Sequence, residues 1–178
     1  KFRTGTEYAS SGKWGTPCTV TKDDGSKVRS GADSHSWALN AFWRPEDSGI
    51  LPSVSAGVGA SYLNGNSAWE NNTSKRAMAS WMVGLTWNDV FMEGNALGAA
   101  VGQPQFVTEV DNNGGDDFVA DGNYAMELWY KFQVTDNIAV TPAVYWLSRP
   151  YGDDTQNFKG DDKSLGVFGG LIQTTFKF

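Results

Sequence analysis

Apolar and polar positions alternate along this chain with a period of two, in segment after segment. In Ser53–Leu63, "SVSAGVGASYL", Val54, Ala56, Val58, Ala60 and Tyr62 share one side, and Ser53, Ser55, Gly57, Gly59 and Ser61 the other. Successive side chains of a strand point to opposite faces, so this spacing predicts a half-buried β-strand and no helix. Ala77–Trp87 repeats it, with Ala79, Trp81, Val83, Leu85 and Trp87 against Ser80, Gly84 and Thr86. Tyr124–Val134 sets Tyr124, Met126, Leu128, Tyr130, Phe132 and Val134 against Glu127, Lys131 and Gln133. Trp37–Trp43, Ala96–Gln103, Ile138–Ser148 and the closing "GVFGGLIQTTFKF" continue the series, and Phe2–Tyr8 is a further candidate. The pattern predicts about eight strands in an all-β chain.

The connections alternate in length. Residues 10–35, 64–75, 107–121 and 149–163 form long polar stretches, whereas Pro45–Pro52, Asn88–Asn95 and Thr135–Asn137 are shorter. That layout predicts an antiparallel up-and-down meander whose two ends meet different surroundings, as in transmembrane β-barrels of outer membranes. A soluble ligand-binding barrel also alternates, but it turns its apolar face inward. The aromatics favour the membrane reading. Trp37 and Trp43, Trp81 and Trp87, Tyr124 and Phe132, and Phe168 and Phe176 are pairs six to eight residues apart within one strand. On a tilted strand that is roughly 14–19 Å along the membrane normal, which places both rings near the edges of a ~25 Å apolar band as an aromatic girdle.

Composition changes this picture little, but it excludes several functions. The 178 residues make one domain, 13% aromatic, with eight Trp and 21 Gly. Several glycines fall inside strands, where they relieve crowding as a sheet coils. A net charge of −6 leaves no basic stripe for nucleic acid. A single cysteine, Cys18, excludes an intrachain disulfide and a cysteine metal cage. No apolar run is long enough for a membrane helix. The chain begins at Lys1 without Met, as a mature product or a piece of something longer would.

The segments "GNALGAAVGQPQFVTEV" (Gly94–Val110), "DGNYAMELWYKFQVTDNIAVTPAVYWLSRP" (Asp121–Pro150) and the terminal "QTTFKF" resemble the C-terminal part of the major outer-membrane porins of cyanobacteria. Those proteins are often called iron-uptake porins and are related to carbohydrate-selective porins. The resemblance covers residues 94–178 closely and 36–93 more loosely. It implies the C-terminal half of a barrel of about 14–16 strands. The N-terminal surface-layer-homology domain and the first strands would then lie outside this sequence. It also implies homotrimers in the outer membrane of a cyanobacterium, passive diffusion of inorganic ions (iron among them) and small solutes, and no enzymatic activity. Phe176 and Phe178 would then be the signal read by the barrel-assembly machinery.

Candidate site residues follow from parity. Asn40, Glu127, Lys131 and Gln133 lie opposite the apolar stripes, hence toward the interior. Glu127 and Lys131, four apart on one strand, stand about 13 Å from each other. They are either a pore-lining pair that tunes ion preference or part of a structural network satisfying charges in a polar interior. The acidic "DNNGGDD" (Asp111–Asp117) lacks the spacing of a calcium loop, so a solvated external loop is expected and no metal or cofactor site. His35, in "SHS", has no nucleophile elbow around it. Pro142 within a strand requires a bulge or a non-bonding position. Two other readings stay open: a small closed barrel serving as anchor, adhesin or phage receptor, and the soluble ligand-binding barrel.

Overall fold

β-Branched and aromatic residues at alternate positions favour extended backbone, whose N–H and C=O groups find partners only on neighbouring strands. In the computed structural model, which describes residues 19–22, 27–29, 32–46, 50–65, 72–112, 115–118, 122–150 and 165–178, those partners come from a single antiparallel sheet. Its strands are β1 (Thr19–Lys22), β2 (Lys27–Arg29), β3 (Ala32–Trp43), β4 (Ser53–Gly65), β5 (Asn72–Asn88), β6 (Ala96–Asn112), β7 (Gly115–Phe118), β8 (Ala125–Thr135), β9 (Ile138–Ser148) and β10 (Gly166–Phe176).

The seven long strands, β3 to β6 and β8 to β10, pair in chain order, up and down. The three short ones decorate one end: β1 pairs with β2 and with the start of β5, and β7 folds back on the end of β6. Among the described residues β3 pairs only with β4, and β10 only with β9. Among the described residues the sheet is therefore an open wall, with edges at β3 and β10.

The expected strands are present, apart from Phe2–Tyr8, which lies outside the described residues, as does Cys18. Two differences matter. β5 and β6 each reach 17 residues, well beyond their alternating segments. The stretch expected to be a solvated acidic loop instead continues β6 to Asn112 and returns as β7, with Asp111 opposite Asp116.

Beyond the shifts at Lys75/Ala77 and Ala77/Met78, the irregularities fall at prolines and a turn. Pairing of β5 with β6 shifts register between Ala79 and Trp81, whose partners are Phe106 and Gln103, so the extra residue falls at Pro104–Gln105. A residue without an N–H is tolerated at such a bulge. Pro142 behaves differently: it sits in unbroken register opposite Ile172 of β10. On its other side, pairing with β8 lapses between Trp129↔Ala143 and Phe132↔Val140 without a register shift, so the proline is accommodated by a local gap in the ladder and not by a bulge. In the Asp136–Asn137 turn neither residue has a positive φ. Without the twist-matched primed turn, the hairpin accommodates a register shift between Gln133 and Thr135 instead.

Packing is inverted relative to a soluble domain. Among the described residues the buried apolar side chains are few and mostly small, namely Ala77, Met78, Ala96, Val107, Ala139 and Ala143. The large apolar side chains stand outside, with Leu39 66% and Ile172 76% exposed. Cross-strand partners share a face. One face therefore carries the rows Trp43–Val54–Leu85–Ala99–Leu128–Val144–Gly170 and Leu39–Val58–Trp81–Gln103. The other carries Ser36–Ser61–Met78–Val107 and Asn40–Gly57–Met82–Gly102–Ala125–Leu147–Val167.

The turn joining β5 to β6 is tied to β8 by one buried side chain. Asn95 donates from Nδ2 to the Tyr130 hydroxyl (3.0 Å) and accepts the Gln133 N–H at Oδ1 (2.9 Å), while Tyr130 donates to the Val90 carbonyl (2.7 Å). Asn95→Ala strands the Gln133 N–H and the tyrosine oxygen. Its expected cost is about 1–3 kcal/mol, read as a lower urea midpoint of the full-length protein folded in lipid vesicles.

Candidate functional site: the inner face of the wall

On a flat sheet, Ala38 of β3 and Leu147 of β9 would stand roughly 24 Å apart, five strand spacings. Both nonetheless line one hollow of about 470 Å³, together with Asn40, Gly57, Met82, Gly102, Glu127 and Tyr145. The sheet curls, and the face opposite the large apolar stripe is its concave side.

Small side chains build that concavity. Ser36 donates to the Ser61 hydroxyl (2.9 Å), and Ser55 donates to the Gly84 carbonyl (3.4 Å). The Asn40 amide oxygen occupies the space over Gly57, 2.5 Å from where a Cβ would be. Two large aromatics, Trp129 and Tyr145, also face inward, each lying across a glycine of the next strand. A Cβ on Gly98 would fall within the Trp129 indole, and one on Gly169 within the Tyr145 ring. Reasoning from charge alone misses both rings. Their parity, shared with Glu127 and Lys131, together with a glycine opposite, is the signal that finds them.

The four residues expected to face inward lie on the concave face, in two places. Asn40 and Glu127 line the large hollow, and Glu127 is paired across the strands with Tyr145 and Ala100. Lys131 and Gln133 line a separate recess of about 120 Å³ nearer the short turns, with Asn137, Thr141, Gln173, Thr175 and Lys177. Glu127 and Lys131 share a face without meeting in an ion pair.

The eight expected girdle aromatics stand on the convex face. Phe168 is 73% exposed, and Trp37, Trp43, Tyr124, Phe132 and Phe176 are all exposed. Trp81 donates to Gln103 Oε1 (2.6 Å) and meets Tyr124 edge-to-face at 6.4 Å, and Trp87 donates to the Ile50 carbonyl (3.0 Å). An apolar ring with a satisfied N–H suits the border between an apolar and an aqueous phase. Phe176 pairs with Ile138 on that face, and beyond it Asn137 clamps the chain end. Its carbonyl accepts the Lys177 N–H (2.9 Å), and its Nδ2 donates to the Lys177 carbonyl (2.8 Å).

His35 is exposed on β3 beside no nucleophile–base pair, and among the described residues no three His, Cys, Asp or Glu gather as a metal site. No helix there is long and apolar enough to cross a membrane, which bears only on helices.

Comparison with known proteins agrees with this geometry. No solved structure matches the chain. An uncharacterized protein of a Nostoc strain is 31% identical over 147 residues, 83% of this chain and 22% of the relative. An uncharacterized protein of a Synechocystis strain is 30% identical over 132 residues, 73% of this chain and 21% of the relative. The chain thus spans about a fifth of the length of the curated relatives it matches. The family model described as carbohydrate-selective porin, OprB family, matches residues 3–178, and the chain belongs to that family.

Proposed function

We propose that these strands form part of the wall of an outer-membrane porin, which passes small hydrophilic solutes by diffusion. The single observation that carries the reading is the two-sidedness of the wall: most of the exposed large apolar side chains stand on one face, whereas the other sets glycines, serines, Asn40 and Glu127 beside Met82, Tyr145 and Leu147 around a hollow. Lipid lacks hydrogen-bonding groups, so a wall in contact with it must satisfy every backbone group from within and close on itself. The free edges of β3 and β10 fit a ring completed by other strands of a longer chain, consistent with the span of the relatives. An eight-stranded barrel closed on itself would fill its interior with side chains.

Carbohydrates are the first solute class to test, because the family is named for them. The Glu127 carboxylate, with Asn40 and Tyr145 around the same hollow, can accept and donate to sugar hydroxyls. Inorganic ions, iron among them, and a trimeric assembly in a cyanobacterial outer membrane rest on the sequence resemblance, as does reading of Phe176 and Phe178 by the assembly machinery.

The test is conductance of the full-length protein in planar bilayers, with liposome swelling in glucose and sucrose. Discrete channels and swelling are expected. A folded, inserted protein that gives neither would sink the porin reading. Glu127→Gln removes a fixed negative charge from the lumen. Its expected effect is a reversal potential shifted toward anions by several millivolts under a salt gradient, with folding unchanged.

A further inference from the structure

The recess between β8, β9 and β10 is chemically unlike the rest of the concave face. Lys131 on β8 and Lys177 just past β10 are its charged groups, and no carboxylate lines it. Its remaining polar lining consists of neutral amides and hydroxyls, chiefly Gln173, Thr141 and Thr175. Neither ammonium is held in an ion pair or hydrogen bond through its side chain among the described residues.

The frame around them is fixed. Gln173 pairs with Thr141 and Thr175 with Ala139 across β9 and β10, and Gln133 pairs with Ala139 from the other side. Asn137 holds the backbone on both sides of the Lys177 peptide, and the Gln133 amide is spent on the Thr135 carbonyl (2.6 Å). Lys131, Lys177, Gln173, Thr141 and Thr175 therefore line one space of about 120 Å³, with no side-chain partner for either lysine among the described residues. Charge-assisted donors without an acceptor fit a small anion, and the recess has room for one the size of an inorganic oxyanion.

We propose that this recess is a weak binding site for a small oxyanion of the phosphate or sulfate class, at the short-turn end of the porin lumen. The inference rests on the concave face being the lumen, as in the porin reading. In that setting short turns mark the periplasmic end, so the site lies where a solute leaves the channel. The chain as a whole carries a net charge of −6, and a local pair of cations provides a foothold for anions that its field otherwise repels.

The experiment uses the full-length protein in planar bilayers, in constant KCl with sodium phosphate added. Single-channel current is expected to fall saturably with phosphate. The double variant Lys131→Gln with Lys177→Gln is expected to need about tenfold more, as two charge-assisted hydrogen bonds are lost. The arginine pair Lys131→Arg with Lys177→Arg should retain the response. Superimposable phosphate titrations in wild type and the glutamine variant overturn the site while leaving the porin reading intact. A protein that inserts but never conducts overturns the porin reading instead. Acetylation of the folded wild-type protein gives a readout independent of any variant. Phosphate is expected to slow modification of Lys131 and Lys177 relative to Lys residues elsewhere, and equal rates with and without phosphate overturn the site.

Discussion

Arginine in place of Leu128 is expected to destabilise the membrane-inserted protein by ~2–4 kcal/mol, whereas arginine in place of Ala100 should be tolerated. The two positions are near neighbours: Leu128 pairs with Ala99, and Ala100 with Glu127 on the adjoining strand. They lie at the same depth and differ in the face they occupy. Leu128 is half exposed on the convex face among Ala99, Val101 and Val144, so in the porin reading a guanidinium there meets hydrocarbon. Ala100 lines the hollow beside Glu127, where a cation finds water and a carboxylate. Urea unfolding of the full-length protein from lipid vesicles, followed by tryptophan fluorescence, measures both. A soluble barrel predicts the reverse order, because its concave face would be the dry one. Equal, small effects at both positions would also remove lipid from the convex side.

This sidedness was legible in the sequence because it is what the sequence encodes most directly. In the porin reading, lipid on one face and water on the other impose alternation, and Tyr124–Val134 keeps its apolar side at every second position. The ends of β5 and β6 were not legible for the same reason. "NTSKR" (Asn72–Arg76) and "VTEVDN" (Val107–Asn112) belong to paired strands, across register shifts at Lys75/Ala77 and Ala77/Met78, yet neither sequence keeps the apolar–polar alternation. Hydrogen bonding continues where the hydrophobic pattern stops, so composition alone reads these stretches as loops.

The inner face was legible only where it is charged or carries an amide. Glu127, Lys131 and Gln133 stand out by type against an apolar stripe. Trp129 and Tyr145 resemble girdle residues until parity and the glycines beneath them are considered. What no sequence pattern supplied is the partition of that face. Glu127 and Lys131 lie close along one strand, but curvature and neighbouring side chains assign them to different recesses. Register with β9 and β10 decides this, and Lys177 enters through the same register.

Valine in place of Gly102 is expected to be the most damaging of the glycine substitutions, and the reason is the identity of the atoms it would meet. A Cβ there would lie 2.5 Å from the Trp81 carbonyl oxygen and 3.0 Å from the Met82 Cα. Both are backbone atoms of β5, held by pairing on either side, and β6 is itself fixed against Ala125 of β8. Neither strand can yield without breaking register where the wall already carries its bulge at Pro104. Overpacking in a well-ordered interior costs about 1–3 kcal/mol, and a clash with backbone belongs at the upper end. Gly59→Ala is the control, since its Cβ would meet the Ser80 hydroxyl at 3.0 Å, a group that rotates aside. Gly98→Ala is intermediate in kind: it displaces the Trp129 indole, which can swing toward the hollow. Folded yield in vesicles should therefore drop sharply for Gly102→Val and hold for Gly59→Ala. For Gly98→Ala it should hold while channel conductance falls. A Gly102→Val protein that folds like wild type would mean that β5 and β6 do not approach as closely there as the register requires.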